Sequence, residues 1–140
     1  MNVYTPILVK AIEKAKEQDR NALAIFIGTK PCFYKAYGLV QEAIKQDIPF
    51  FLVDTNQHYD AVMRKGLEEF DLTRYIGYEM TSRGSLTEKA IDLFNGAKAL
   101  SKISDSITPI VIGDTIIAGA IPSAWYLETG QMSYHYEAGL

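Results

Sequence analysis

The sequence feature that most constrains the fold is a repeated alternation between short apolar runs and longer stretches of helical period. The clearest run, Ala22–Ile27, consists entirely of apolar residues and is closed by Gly28. Such a run is too short for a helix of its own and is typical of a strand buried on both faces. This pattern predicts five strands along the chain: Ala22–Ile27, Pro49–Val53, Tyr75–Met80, Pro109–Ile112 and Met132–Tyr136.

The stretches around these runs carry apolar residues at helical spacing. They predict helices at Pro6–Gln18, Phe33–Gln46, Tyr59–Phe70, Leu86–Ile103 and Ile116–Leu127, with a bend at Pro122 in the last. Thr5 before Pro6 is a candidate N-cap, and Ser85 with Glu88 has the spacing of a capping box. Strands that alternate with helices predict an α/β fold: a Rossmann-like, doubly wound parallel sheet of about five strands.

Composition and charge limit the kinds of partner. A chain of 140 residues suits one domain, and its formal net charge of −3 without a basic stripe argues against binding to nucleic acid. Cys32 is the single cysteine, so no intramolecular disulfide forms, and no cluster of metal-ligand residues is present. The apolar runs are far shorter than the roughly 20 residues of a membrane helix. We therefore expect a cytoplasmic protein without a membrane or metal partner.

In open parallel sheets, ligands bind beyond the carboxyl ends of the strands. The segments that follow the predicted strands are Gly28–Pro31 with Lys35 nearby, Asp54–His58, Thr81–Ser85, Gly113–Thr115 and Glu137–Gly139. Together they bring lysines, an arginine, a histidine, amides and carboxylates to one edge, which suits an anionic, polyhydroxylated ligand. The chain lacks the dinucleotide glycine fingerprint, the phosphate-binding loop of nucleotidases and the nucleophile elbow of hydrolases.

Five short motifs carry a resemblance to a known family. They are Gly28–Lys35 against G-T-R-P-E-x-x-K, Thr55–His58 against T-G-Q-H, Arg83–Leu86 against R-x-S/T-L, Gly113–Thr115 against G-D-T, and His135–Leu140 against H-V-E-A-G-L. No single motif is specific, but the order and spacing agree over residues 22 to 140. In this respect the chain resembles the non-hydrolysing UDP-N-acetylglucosamine 2-epimerases.

The resemblance implies an architecture and an activity. Family members have two Rossmann-like domains in the glycosyltransferase-B arrangement, so residues 21–140 would form the amino-terminal domain, preceded by a helical extension at 1–20 and cut off before the UDP-binding domain. The implied reaction interconverts UDP-N-acetylglucosamine and UDP-N-acetylmannosamine by elimination and re-addition of UDP, without a cofactor. The implied context is the synthesis of cell-surface polysaccharides by a homodimer, and the 140-residue chain alone is expected to be inactive.

The resemblance also assigns roles to individual residues. Asp114 and Glu137 match the acid–base carboxylates of the family, and which of them removes the proton stays open. The residues that match the substrate-binding positions are Gly28, Thr29, Lys30, Lys35 and Thr115. The residues that match a second, activating site for UDP-N-acetylglucosamine are Gln57, His58 and Arg83.

Two departures from the family pattern keep other functions open. Lys30 stands where the family has arginine, and Cys32 stands where it has glutamate. The alternatives are the hydrolysing 2-epimerase, which releases UDP and free N-acetylmannosamine, and a non-catalytic module that binds a nucleotide sugar. Simpler roles also compete: Asp114 as a helix cap, Cys32 as a small helix residue, and His135 as a histidine of the core.

Overall fold

The computed structural model describes residues 2–28, 30–56, 61–113 and 116–136. Within these ranges the helices are α1 Pro6–Glu17, α2 Lys30–Lys45, α3 Ala61–Glu69, α4 Leu86–Ser101 and α5 Ile116–Thr129, with a short 3₁₀ helix at Thr73–Tyr75. The strands are β1 Val3–Tyr4, β2 Ala22–Ile27, β3 Phe50–Asp54, β4 Ile76–Glu79, β5 Ile107–Ile112 and β6 Tyr134–Tyr136.

Across the described residues, these strands form one sheet in the order β1-β4-β3-β2-β5-β6. All neighbours are parallel except β1, which pairs antiparallel with β4 through Tyr4 and Tyr78. The chain starts its parallel part at the centre, in β2, moves outward through β3 to β4, and then crosses to β5 and β6 on the other side. This reversal of direction between β2 and β5 is the topological switch point of a doubly wound fold.

Helices cover both faces of the sheet, because β2 is apolar on both of its faces. Ala24 and Phe26 belong to a core that contains residues of α1, α4 and α5. Ile25 and Ile27 belong to a second core that contains residues of α2 and α3. Full burial of one such side chain stabilises a protein by about 1.5–3 kcal/mol. The strict alternation within one strand therefore holds both helical layers in place.

The core on the α1, α4 and α5 side contains the largest buried side chains. Trp125 is only 1% exposed there, so it is a core residue. Tyr78 is also buried, and its hydroxyl donates a hydrogen bond of 3.1 Å to the carbonyl of Gly96 in α4. Burial raises the pKa of Tyr78 to about 12, which keeps the phenol protonated as this donor.

The first residues of the chain build part of this same core. Thr5 caps α1, since its Oγ1 accepts a hydrogen bond of 3.2 Å from the amide of Ile7. The same hydroxyl donates to the carbonyl of Ile76 at 2.9 Å, and the amide of Thr5 donates to the carbonyl of Gly77 at 2.9 Å. Leu8, Ala11, Ile12 and Ala15 of α1 are buried against the sheet. Residues 2–20 are thus integrated with the sheet through β4.

The predicted elements are confirmed, with differences at their ends. β1 was not predicted, because two exposed residues carry no detectable period. The helix α2 starts three residues earlier than predicted, at Lys30, and α5 continues past Pro122 to Thr129. The edge strand β6 is shorter than predicted and exposed along its whole length, since only β5 pairs with it. No helix in the described part of the chain is long and apolar enough to cross a membrane.

Candidate functional site

The carboxyl ends of β2 and β5 lie side by side at the switch point of the sheet. Gly28 follows β2 directly, and α2 begins at Lys30, so the amino terminus of a 16-residue helix opens at this edge. Its first turn contains no acidic residue that would neutralise the helix dipole. On the β5 side, Gly113 has a φ of 79°, a conformation that glycine adopts without strain. This pair of turns forms a setting suited to an anion.

Two consecutive residues, Thr55 and Asn56, bind the turn after β3 to the neighbouring strands. The buried hydroxyl of Thr55 donates a hydrogen bond of 2.9 Å to the carbonyl of Ile27. Asn56 adopts a φ of 51°, and its Nδ2 donates to the carbonyl of Met80 at 2.6 Å. The turn is therefore tied to the end of β2 on one side and to the end of β4 on the other. Both bonds end on backbone carbonyls, so they fix the turn without the use of a charged side chain.

Asp54, the last residue of β3, carries a half-buried carboxyl group at this edge. Burial is the main cause that raises the pKa of Asp54, opposed by the amide of Asn56, which donates to Oδ1 at 2.9 Å. The negative charge of Glu79 adds to the increase, and Arg64 counteracts it. Groups with such shifts concentrate at functional sites. Sequence analysis placed Asp54 at the edge but did not choose it; the signal was an acidic residue that ends an otherwise apolar strand.

The basic residues of the edge come from α2 and from the loop before α4. Lys35 lies one turn into α2 and is half-buried. Arg83 is exposed in the loop after β4, and its amide donates a hydrogen bond of 3.2 Å to Oδ2 of Asp92. The loop then enters α4 through the predicted capping box of Ser85 and Glu88. The structure therefore places Lys35 and Arg83 on elements that leave the same side of the sheet.

Cys32 is buried in the protein core. It is 3% exposed, packs in the core on the α2 and α3 side, and its Sγ donates a weak hydrogen bond of 3.7 Å to the carbonyl of Ile112. The interpretation of Cys32 as a small helix residue is confirmed. Its thiol also joins α2 to the end of β5 across the switch point.

His135 is exposed on β6, so the prediction that it is a core histidine is wrong. An edge strand with one neighbour leaves much of its surface uncovered. The ring Nε2 of His135 forms a hydrogen bond with the carbonyl of Gly113, and the amide of Gly113 donates to the carbonyl of Tyr136 at 3.1 Å. The segment after β5 is thus attached to β6 by two hydrogen bonds.

Several residues proposed for the site lie outside the described part of the chain. They are Thr29, Gln57, His58, Asp114, Thr115 and Glu137. Of their neighbours, Gly28 and Gly113 directly follow a strand, Asn56 lies two residues after β3, and Tyr136 is the last residue of β6, all at the carboxyl edge. The described backbone therefore leads toward each of these residues from one side of the sheet.

An open groove of about 720 Å³ adjoins this edge. It lies between the first halves of α4 and α5, and its lining comprises Ala90, Phe94, Ile116, Ala118, Gly119, Ala120, Ser123 and His135. Its size falls within the range of small-molecule sites, and its walls are mostly apolar. It adjoins the candidate site at Ile116, the first residue of α5, and at His135 of β6.

By fold and edge chemistry, the protein belongs to the class of Rossmann-like α/β domains. The sequence matches no protein-family model and no curated protein. Solved structures do match. One, from Listeria monocytogenes, is described as a UDP-N-acetylglucosamine 2-epimerase; the similarity covers 86% of this chain and 31% of that one, with 25% identity and a TM-score of 0.68.

Two further structures have the same fold. The S. aureus MnaA protein in complex with UDP gives a TM-score of 0.73 at 23% identity, over 86% of this chain and 31% of the other. The UDP-GlcNAc 2-epimerase of Neisseria meningitidis bound to UDP-GlcNAc gives 0.70 at 24% identity, over 86% and 33%. The chain is a structural relative of the UDP-N-acetylglucosamine 2-epimerases, and it spans about a third of the length of these relatives.

Proposed function

We propose that this chain is the amino-terminal part of a non-hydrolysing UDP-N-acetylglucosamine 2-epimerase, which interconverts UDP-N-acetylglucosamine and UDP-N-acetylmannosamine. The observation that carries the proposal is the coincidence of two independent signals. The fold matches epimerase structures over 86% of the chain, and the motifs shared with that family fall on the exits of parallel strands at one edge. The ligands named for two of these structures, UDP and UDP-GlcNAc, support a nucleotide sugar as substrate.

The edge has the chemistry to hold the pyrophosphate and the sugar. The positive end of the helix dipole at the start of α2 attracts phosphate oxygens. Lys35, one turn further, and Lys30, the first residue of the helix, add positive charge on the same element. Gly28, Thr29 and Thr115 complete the proposed substrate-binding set. Charge placed here also stabilises UDP as it leaves, because the leaving group gains negative charge in the transition state.

The two proposed catalytic carboxylates emerge from adjacent strands. Asp114 follows Gly113 at the end of β5, and Glu137 follows Tyr136 at the end of β6. Neighbouring strands are about 4.8 Å apart, so side chains that leave them together can act on one sugar ring. The pairing of Ile112 with Tyr136 supports this proposal, because it sets the described ends of the two strands side by side.

The proposed reaction needs no cofactor. One carboxylate removes the proton from C2 while the bond between C1 and the UDP oxygen breaks, which leaves a 2-acetamidoglucal and UDP. UDP then adds back at C1, and a proton is delivered to C2 from the opposite face, so the configuration at C2 is inverted. Each proton transfer requires a positioned acid or base, since the C2 hydrogen is not acidic in the ground state.

The remaining assignments follow from the same proposal. Arg83 lies in the exposed loop after β4, and Gln57 and His58 follow the locked turn at Asn56, so these three residues would hold a second, activating UDP-N-acetylglucosamine. The enzyme would act in the cytoplasm as a homodimer. The proposed boundary places an extension at residues 1–20 and the Rossmann-like domain at 21–140.

A second candidate function is a nucleotide-sugar binding module without catalysis. The observation that favours it is the environment of Cys32, which occupies the glutamate position of the family and lies buried with its Sγ toward the carbonyl of Ile112. A carboxylate of the family pattern is therefore missing from the start of α2. Turnover by the enzyme would rule this candidate out, and the release of free N-acetylmannosamine would identify the hydrolysing reaction instead.

The experiment that tests the proposal follows the C2 position. The polypeptide that joins this chain to a UDP-binding domain is incubated with UDP-N-acetylglucosamine in deuterated water, and the products are analysed by NMR. We expect UDP-N-acetylmannosamine that carries deuterium at C2, and we expect no turnover by the 140-residue chain alone. Product without deuterium would refute the elimination mechanism, and bound substrate without any product would refute the epimerase function.

A further inference from the structure

Gly113 is held by β6 at both of its polar backbone atoms. Its amide donates a hydrogen bond of 3.1 Å to the carbonyl of Tyr136, and its carbonyl is bonded to the ring Nε2 of His135. A carbonyl oxygen only accepts, so Nε2 carries the hydrogen. In the neutral ring, Nδ1 then has no hydrogen and is an acceptor. The structure thus selects one tautomer of His135.

The need for a side-chain donor follows from the conformation of Gly113. Within the described residues, the last pair of the parallel ladder between β5 and β6 is Ile112 with Tyr136. Gly113 follows Ile112 and has a φ of 79°, which is outside the range of a strand. A β-carbon at this position would meet no atom within 4 Å, so glycine is needed for its backbone conformation and not for space. His135 supplies the hydrogen-bond donor for the carbonyl of Gly113.

These two bonds connect the segments that carry the proposed catalytic carboxylates. Gly113 directly precedes Asp114, and Tyr136 directly precedes Glu137. A shift of Gly113 relative to β6 would therefore displace the peptide that leads into Asp114 relative to the peptide that leads into Glu137. Proton transfer requires its groups within hydrogen-bond reach, so such a displacement would slow the proposed reaction.

We propose that His135 is a positioning residue that holds the Gly113 peptide, which directly precedes Asp114 in the chain, against β6. The inference rests on the proposed function for its catalytic consequence, whereas the hydrogen bond itself belongs to the fold. His135 does not touch the substrate in this proposal. It acts through Gly113, and the function of its ring is to present a hydrogen at the position of Nε2.

The first test uses the 140-residue chain and is independent of catalysis. Nitrogen-15 NMR of the neutral His135 ring should show the hydrogen on Nε2. Hydrogen exchange at the Gly113 amide should be faster in His135→Phe and close to wild type in His135→Gln, whose side-chain amide nitrogen can replace Nε2. A hydrogen on Nδ1, or equal exchange in all three proteins, would overturn the proposal.

The second test measures turnover in the enzyme that contains this chain. His135→Phe should lower kcat by about tenfold to a hundredfold with little change in KM, as expected when catalytic groups are misplaced, and His135→Gln should restore most of it. Tyr134→Phe, an exposed change on the same strand, is the control and should leave kcat unchanged. Equal kcat in His135→Phe and wild type would overturn the positioning role. An inactive wild type would instead refute the proposed function and leave the NMR result to decide on the hydrogen bond.

Discussion

The two edges of the sheet, at the amino and the carboxyl ends of the parallel strands, differ in how their loops are built. At the amino edge, where helices end and strands begin, α1, α2 and α3 finish in the same way. Each has an aspartate in the left-handed conformation just after the helix: Asp19 at φ 54°, Asp47 at 56° and Asp71 at 53°. In each case the next amide closes the last turn of the helix. These bonds are Arg20 to Ala15 at 3.0 Å, Ile48 to Ala43 at 2.8 Å, and Leu72 to Leu67 at 2.9 Å.

An ion pair links α1 to the end of α2 at the amino edge. Lys14 of α1 donates to Oδ1 of Asp47, and Gln18 donates to its backbone carbonyl at 3.2 Å. The hydrogen bond from Lys14, followed by the charge of Lys14, lowers the pKa of Asp47. The partners are exposed, so salt screens the pair and its contribution is small. At the amino edge, these polar groups therefore bind to other groups of the protein.

The carboxyl edge carries a carboxyl group whose ionised form costs stability. Asp54 is half-buried, and burial raises its pKa. Buried polar atoms without a hydrogen-bond partner among the described residues occur toward both edges: Ser82 Oγ here, and Trp125 Nε1 and Ser133 Oγ toward the amino edge. Groups with shifted pKa values concentrate at functional sites. The two edges therefore differ in the helix-end aspartates of the amino edge and in the raised pKa of Asp54 at the carboxyl edge, to which we assign the proposed function.

The largest expected effect comes from the proposed catalytic carboxylates. Asp114→Asn and Glu137→Gln keep the shape of the side chains but cannot accept a proton. Each should lower kcat in the enzyme by about 10²–10⁴-fold, the scale of general acid–base catalysis, with a much smaller change in KM. Steady-state kinetics measures both values, and thermal unfolding should show unchanged stability. If both substitutions leave kcat unchanged, the base lies outside this chain. The assignment of catalysis to the carboxyl edge would then be wrong.

Lys35 tests whether α2 contributes to the site. Lys35→Ala should cost about 2–4 kcal/mol of transition-state stabilisation, as removal of a preorganised donor does. Lys45→Ala, at the opposite end of the same helix and on the amino edge, is the matched control and should leave kcat/KM unchanged. If both variants have the same kcat/KM, Lys35 does not contribute to the site, and the two ends of α2 do not differ in function.

Asp19 tests the stability half of the comparison. Asp19→Val places a β-branched residue in the left-handed conformation and should lower the free energy of unfolding by about 1–2 kcal/mol. Asp19→Gly removes the strain and should stay close to wild type or above it. Chemical denaturation of both variants measures the difference. Binding of UDP should be the same in both, and a loss of binding in Asp19→Val without unfolding would show that the edges are not independent.

Asp54→Asn should produce the smallest effect, and in the stabilising direction. Burial raises the pKa of Asp54 in the folded chain, so the contribution of this group to stability is present below its unfolded value of 3.8 and is lost as the pH rises through the folded value. The variant should therefore be more stable than wild type at pH 7, by up to about 1 kcal/mol. The difference should vanish below the unfolded pKa. Glu79→Gln is the control for the neighbouring negative charge. If Asp54→Asn is less stable than wild type at pH 7, the ionised carboxyl group of Asp54 does not cost stability.

The candidate site was predictable to different degrees from its separate parts. The strand exits were predicted correctly, because an apolar run followed by Gly28 or Gly113 is a local signal. The function of His135 was not predictable, since its partner Gly113 is 22 residues away and the hydrogen bond depends on the pairing of β5 with β6. Asp54 was placed at the edge, but its raised pKa depends on burial by other elements.

By itself, the sequence determined the type and order of the elements. Helical period, the cap at Thr5 and the capping box at Ser85 depend on neighbours within one turn, so they can be recognised without the fold. Only the tertiary structure decided that β1 joins the sheet beside β4, that β6 lies exposed at an edge, and that β6 holds Gly113. These outcomes arise from contacts between residues far apart in the chain, where the free energy of packing selects one arrangement among several that the same local patterns permit.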